Sequence, residues 1–436
     1  MAGPNRAGPQ ESVLTPAPGA CQRRFKYPGS PWQARLRLFE SRLMELLTFL
    51  SRRQGWLTPE EIARDFRVDG RPTTARTLHR WFRFLRERGG LVYYPYPRAN
   101  AMGLQDVLVR IREVRNPAVF GILPFASSFN AEVELGSDQR VVSQSYWVPG
   151  AALGAFRDYW RAARDLGHIT EFEILRSRNT HYLFSPFHEL ITRDGWAEVR
   201  GPVDNRHFEA LMKRDFRRKF EVRLNERYAK SPLIIPIVVE HIWSHYSSKH
   251  VWQAIREKGE ERILAYGKGI LSRVVERPGA ALRLLQEQWS ELLKGFDDLF
   301  LQPRVFLDWA SLRNTMFVSI VLVPGSMDRL VEAAMRVSER SISTAVKPGV
   351  EFEERCHINC FAPNDQLLPL LEVAKEYHRG LEPASVAIQD KKAQQELFQP
   401  SFCKLDWRLF DPATRSWNFD SRGYVERLKD MQAERH

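Results

Sequence analysis

LTPEEIARDFRVDGRPTTARTLHRWFRFLRERGGLVYYPYPR, residues 57–98, decides the reading of this chain. Thr58 is placed to cap a helix, Pro59 suits its first position, and Glu61 completes a capping box. Ile62, Ala63 and Phe66 then share one face, and Asp69-Gly70 marks a turn. A second helix is expected from Thr73 to Arg88, with Leu78, Trp81, Phe82 and Leu85 at i, i+3, i+4 and i+7 as its apolar stripe. Gly89-Gly90 ends it, and Leu91 to Arg98 reads as a wing of aromatic and basic residues. Helix, turn, basic helix and wing, in that order, make a winged helix-turn-helix, which offers one cationic helix to a DNA major groove.

Residues 71–88 hold six arginines and one acid. Thr73, Thr74, Arg76, Thr77, Arg80 and Arg83 lie largely off the apolar stripe and form the expected groove-reading set. Arg71, Arg86 and Arg98 flank them as expected phosphate anchors. The guanidinium fork matches guanine edges and phosphates, and threonine offers a hydroxyl and a methyl. The plainer alternative is a solvated arginine-rich helix on a packing module.

Working outward, residues 1–31 form an arm rich in Pro, Gly and Ala, without the apolar core of a secretory signal. Trp32 to Arg53 carries Leu36, Phe39, Leu43, Leu46, Leu47 and Leu50 at helical spacing, so the helix-turn-helix unit is expected to span 32–103. The period then changes from helical to alternating. Val107–Arg112, Asn130–Leu135, Arg140–Val148 and Ile169–Leu175 read as strands, and Ala152–Leu166 as a helix. Pro124 interrupts what would be a first helix. The order is close to β-α-β-β-α-β, a ferredoxin-like unit at 104–180. A connecting segment at 181–230 follows.

The same order returns. Phe317–Val323, Ser343–Val346, Glu354–Phe361 and Ala384–Gln389 read as strands, with helices at Ser326–Arg340 and Asp365–Arg379. This places a second ferredoxin-like unit at 313–390, before a C-terminal extension at 391–436. Trp81, Leu85, Leu91, Pro95 and Leu104 are matched by Trp289, Leu293, Leu299, Pro303 and Leu312 at a constant offset of 208. Leu183-Phe184-Ser185-Pro186 is matched by Leu397-Phe398-Gln399-Pro400, and Asp204 to Phe208 by Asp420 to Tyr424. The fold class is therefore α+β: an N-terminal winged helix-turn-helix and two ferredoxin-like units in a tandem duplication. The helical unit at 231–312 is its degenerate second helix-turn-helix. Leu284, Gln288 and Glu291 stand there in place of Arg76, Arg80 and Arg83.

The chain has 436 residues, 43% of them apolar, and a formal charge of +12. That length and composition support several packed units and argue against wholesale disorder. The positive balance favours a polyanionic partner, double-stranded DNA foremost. Four scattered cysteines, at 21, 356, 360 and 403, make no disulfide framework and point to a reducing cytoplasm. No apolar run reaches the roughly 18 residues of a membrane span, so no membrane partner is expected.

A helix-turn-helix followed directly by a β-α-β-β-α-β unit resembles the feast/famine (Lrp/AsnC-type) transcription regulators. The residues that carry the resemblance are LTPEEIARDF at 57–66, TTARTLHRWFRFLRERGGLV at 73–92 and the strand–helix series from 107 to 175. The second copy covers about 232–389. The resemblance implies a sequence-specific regulator whose effector domain pairs across a sheet surface and binds a small molecule. It also implies a homodimer, which the tandem copies could replace by pairing within one chain. Some proteins of similar plan are haem-pathway (siroheme-type) decarboxylases, which use the α+β pair as a tetrapyrrole pocket with His, Arg or Tyr at the sheet interface. A protein–protein adaptor is the remaining alternative.

Other constellations are weaker. Glu240-His241-x3-His245 lacks further zinc ligands. Cys356 and Cys360 fall on one face of a strand and read as buried structural cysteines. Tyr266-Gly267-Lys268-Gly269 lacks the rest of a phosphate-loop fingerprint. Arg214 to Arg223 is a basic run whose default is a solvated face. No metal, cofactor or catalytic set is expected.

Overall fold

The structure, a computed structural model, describes residues 41–51, 58–89, 92–137, 139–183, 191–192, 195–196, 206–231, 278–306, 315–351, 354–398, 409–411 and 413–433. The Glu240-His241-x3-His245 and Tyr266–Gly269 motifs lie outside these residues, as do Leu36 and Phe39. Among the described residues no helix is long and apolar enough to cross a membrane.

The N-terminal unit is three helices on one apolar core. They are α1 (Ser41–Ser51), α2 (Pro59–Asp65) and α3 (Ala75–Gly89). The capping box forms: Thr58 Oγ1 accepts the Glu61 N–H at 3.2 Å and the Glu61 carboxylate accepts the Thr58 N–H at 2.6 Å. The turn at Asp69-Gly70 takes left-handed backbone at both residues, φ 50° and 73°, between the short strands β1 (Arg67–Val68) and β2 (Arg71–Pro72). Leu43, Leu47, Ile62, Phe66, Leu78, Phe82 and Leu85 bury together, and Ile342 of the second α+β unit completes the cluster. The helical unit of the first copy thus packs on the second copy's α+β unit.

The strand expected after α3 is present as β3 (Val92–Pro97), but its partner is not a hairpin mate within its own unit. It pairs antiparallel with β9 (Phe300–Phe306), the strand that follows the second copy's long helix α6 (Pro278–Lys294). Pro95 lies opposite Pro303, and these are the two residues matched by the repeat. A local two-fold relation therefore runs through this ribbon.

Unit 1 contributes β4 (Leu104–Val114), β5 (Ala126–Glu134), β6 (Arg140–Pro149), α4 (Leu153–Asp165) and β7 (Ile169–Ser177). A short 3₁₀ turn at Pro117–Gly121 stands where the first helix would be. Unit 2 contributes β10 (Thr315–Leu322), α7 (Met327–Ser338), β11 (Ser343–Lys347), β12 (Cys356–Pro363), α8 (Leu367–Tyr377) and β13 (Ser385–Gln389). With β8 (His181–Leu183) they form one nine-stranded sheet in the order β7-β4-β6-β5-β13-β10-β12-β11-β8. Each unit repeats the same order, fourth strand, first, third, second. The seam is β5 against β13, with Glu134 opposite Ala387 and Glu132 opposite Gln389. At the far end β8 pairs with β11, and Ser177 at the end of β7 bridges Gly349. Only residues 178–180 separate β7 from β8, so the sheet closes on itself and its helix-free face becomes an interior.

The helix-covered faces hold the two main apolar cores. Val107, Val109, Ile111, Tyr146, Phe156 and Trp160 dominate one. Val318, Ile320, Leu330, Val337, Ile358 and Leu370 dominate the other. The repeat predicts a further feature, which the packing shows to be exchanged. Helix α5 (Arg206–Arg217) of the first copy inserts Phe208 and Met212 into the core of unit 2, while α9 (Ser421–Ala433) of the second copy inserts Tyr424 and Leu428 into the core of unit 1. Leu183 and Leu397, also matched by the repeat, cross in the same way.

Candidate functional site

The outer face of α3 is set by its inner one. Leu78, Phe82 and Leu85 are buried, which turns Arg76, His79, Arg80 and Arg83 to solvent along one side. Arg71, on β2, is exposed as well. His79 Nε2 lies 3.4 Å from Glu60 Oε1 of α2, an exposed contact between the two helices. The threonines behave differently. Thr74 Oγ1 accepts the Thr77 N–H at 3.2 Å and its hydroxyl meets that of Thr77 at 3.0 Å, so the pair serves the start of the helix. Thr73 is buried. Arg86 lies in the helix, and its side chain is outside the described set.

Arg98 requires a correction. It is buried, and its Nη1 lies 3.0 Å from both carboxylate oxygens of Asp215, so it is not a surface phosphate anchor. The ribbon ends there and the chain enters the joint between units, where a partner 117 residues away neutralises the charge. His181 Nε2 lies 3.2 Å from the same carboxylate. Against the upward pull of burial, His181 and Arg98 hold Asp215 well below the usual carboxylate range.

In the second copy the equivalent face is covered. Gln288 is buried, and Leu284 and Glu291 are half-buried. Glu291 accepts Arg227 Nη1 at 2.9 Å, from the short helix Glu226–Lys230 packed alongside. The two related helices therefore differ in exposure as well as in sequence.

A second constellation fills the closed face of the sheet. Lys347 Nζ donates to Asp106 and to Ser145, each at 3.1 Å, and Thr180 donates to the other Asp106 oxygen at 3.1 Å. Arg110 Nη2 donates to Ser385 at 2.6 Å, and Ser385 in turn donates to Glu134. Ser143 donates to Glu132 at 2.9 Å, and burial pushes Glu132 up to about 7. Ser319 Oγ lies 2.6 Å from His357 Nε2. Burial, reinforced by the Lys347 and Arg110 charges, holds His357 well below its usual value, so the imidazole is neutral. Among the described residues the His357 Nδ1 has no hydrogen-bond partner, so Ser319 and His357 lack the third group that orients the base in a catalytic triad.

These interior residues escaped the sequence reading. The one available signal was alternation: in residues 106–112, DVLVRIR, Asp106, Arg110 and Arg112 share one face with Leu108, opposite Val107, Val109 and Ile111. Such a face is ordinarily given to solvent, and only closure of the sheet buries it. Cys356 and Cys360 do share one face of β12, the helix-covered one, and burial pushes both thiols up to about 12. They are inert packing residues at neutral pH. Of the basic run, Arg217, Arg218, Lys219 and Arg223 are exposed, and Asp215 is buried among them.

No protein-family model matches the chain, and no curated protein matches it. Two solved structures are similar in overall course. One is the crystal structure of the siroheme decarboxylase NirDL, at 10% identity and a TM-score of 0.43, covering 91% of this chain and all of that one. The other is the same enzyme in co-complex with an iron-uroporphyrin III analogue, at 9% identity and a TM-score of 0.42, covering 90% of this chain and 99% of that one. With so few residues shared, function is read from this chain's own side chains.

Proposed function

We propose that this chain is a transcription regulator that binds double-stranded DNA through the outer face of α3. The observation that carries the reading is the exposed stripe of Arg76, Arg80 and Arg83 on a helix whose opposite face is fully committed to packing. Nothing in the core of the helical unit requires arginine there, and the second copy has replaced all three. Arg71 adds a phosphate contact beside the helix. The paired α+β units form the body that holds this helix at a fixed angle, through Ile342 and the β3–β9 ribbon.

The test is fluorescence anisotropy of the full chain on mixed-sequence duplex DNA across a salt series. Log affinity should fall with log salt by about 0.9 for each phosphate neutralised. Changing Arg76, Arg80 and Arg83 together to Ala should weaken binding by at least about tenfold and flatten that slope by about 0.9 for each phosphate these arginines reach. Binding that ignores salt, or a folded triple variant that binds as tightly as the parent, would remove the reading.

One specific observation favours a second reading, a haem-pathway decarboxylase. The sheet interface holds Arg110, Lys347 and His357, buried and drawn from both units, and tetrapyrrole substrates carry carboxylates that such groups can bind. Titration with iron-uroporphyrin, followed by Soret absorbance, separates the two readings. A saturable shift that disappears on changing Arg110 to Met supports the enzyme, and a featureless titration removes it.

A further inference from the structure

A cavity of about 340 Å³ opens beside Arg98, at the foot of the β3–β9 ribbon. Its volume lies within the span of small-molecule pockets. Four chain segments converge on it: the turn after β3, the turn after β7, the end of α5 with the residues that follow it, and Asp298 beyond α6. Arg98, Arg178, Asn179 and Asp215 line its buried part. Arg218, Lys219 and Arg223 line it as well and are exposed to solvent.

The charges in this wall do not balance. Five cationic side chains face three carboxylates, those of Asp215, Glu221 and Asp298. Asp215 is taken by Arg98, and Asp298 lies 3.5 Å from Arg218. Glu221 is shared between Lys219 at 3.8 Å and Arg223 at 3.1 Å. Arg178 donates to three backbone carbonyls, those of Val350, Asp215 and Arg218, and lies over the Phe216 ring at 4.1 Å. The lining thus carries two more cations than carboxylates, and Glu351, just outside it, acts on the Arg178 charge, which leaves a net excess of one.

Three buried polar atoms of lining residues have no hydrogen-bond partner among the described residues: Nε of Arg98, Oδ1 of Asn100 and Oδ1 of Asn179. One is a donor and two are acceptors. A buried polar atom left unpaired costs free energy that a matching ligand recovers. All three atoms are closed to solvent, so a ligand reaches them as the lining side chains turn, offering oxygens to the arginine and hydroxyl donors to the two amide oxygens.

We infer that this cavity binds a compact organic dianion bearing hydroxyl groups, either a polyol phosphate monoester or a hydroxy-dicarboxylate. Arg98 and Arg178 form the cationic floor, Lys219 and Arg223 close over the anion from the rim, and the Asn100 and Asn179 amides read the hydroxyls. The site stands whether or not α3 binds DNA.

Isothermal titration calorimetry on the full chain tests it with glycerol 3-phosphate and with L-malate, against sodium chloride at matched ionic strength. Saturable binding of either compound supports the site, and the compound that binds identifies the source of the dianion. Lys219→Ala with Arg223→Ala, both at exposed positions, should weaken that binding at least tenfold. Asn100→Asp, which sets a like charge in the wall, should abolish it. Heat from neither compound overturns the inference. So does binding that survives both changes in protein whose melting temperature matches the parent's.

Discussion

The residues that matter most here are polar ones whose surroundings differ from what their neighbours in sequence imply. Arg76, Arg80 and Arg83 stay exposed because Leu78, Phe82 and Leu85 have taken the buried side of the helix. Arg98, only fifteen residues beyond Arg83, is buried against Asp215. The triple change of the exposed set should therefore alter DNA affinity and leave the melting temperature within about a degree, since surface substitutions away from packed features fall within about 0.5 kcal/mol. Glu132 gives a prediction of a different kind. Its carboxyl is raised from an ordinary 4.5 to about 7 by burial, so the folded state holds a proton that the unfolded chain releases. The proton-linked stability is complete below 4.5 and is lost as pH rises through about 7. Glu132→Gln keeps the shape and removes the titration. The variant should gain melting temperature relative to the parent at pH 8 and little or nothing at pH 5; equal differences at both pH values would refute the assignment. His357 acts in the opposite direction, because a buried neutral imidazole penalises the fold as the unfolded side chain becomes protonated at low pH.

At the scale of elements, helices and strands followed from periodicity and caps. Helix α7 opens at the expected Ser326, whose hydroxyl accepts the Arg329 N–H, and the strands of both units fall within a few residues of their expected bounds. Pairing was less legible. Residues 91–98 read as a wing, and 92–97 do form a strand, but nothing local identifies a partner two hundred residues away, and the two prolines that face each other across the ribbon give no pairing signal of their own. Ile342 illustrates the same limit. It stands beside a strand of unit 2 yet completes the core of the N-terminal helices. Ile342→Ala should cost about 2–4 kcal/mol, the usual range for a buried large-to-small change. It should also loosen α1–α3 from the body, seen as faster amide exchange in α1 than in β10. Uniform exchange across the two would show that the docking does not depend on this side chain.

At the scale of the whole molecule, the repeat in the sequence announced two copies, and the structure adds how they combine. They share one sheet through β5 and β13, one ribbon through β3 and β9, and they exchange covering helices, with Phe208 in the second core and Tyr424 in the first. Among the described residues one chain presents one arginine face, so each chain should protect a single segment of about one helical turn in footprinting, and protection over two segments should appear only where light scattering finds a dimer. The exchanged helices carry a further consequence, for what happens when the polypeptide is divided. A break near residue 231 leaves each half holding the lid that belongs to the other, with the part of its own apolar core under the exchanged helix uncovered. Neither half is then a domain in the ordinary sense. Expressed alone, each should aggregate; expressed together, they should recombine one to one, with a yield that rises with their concentration. The uncut chain escapes that dependence altogether, because its tether keeps each lid at high effective concentration beside the face it covers, however dilute the solution.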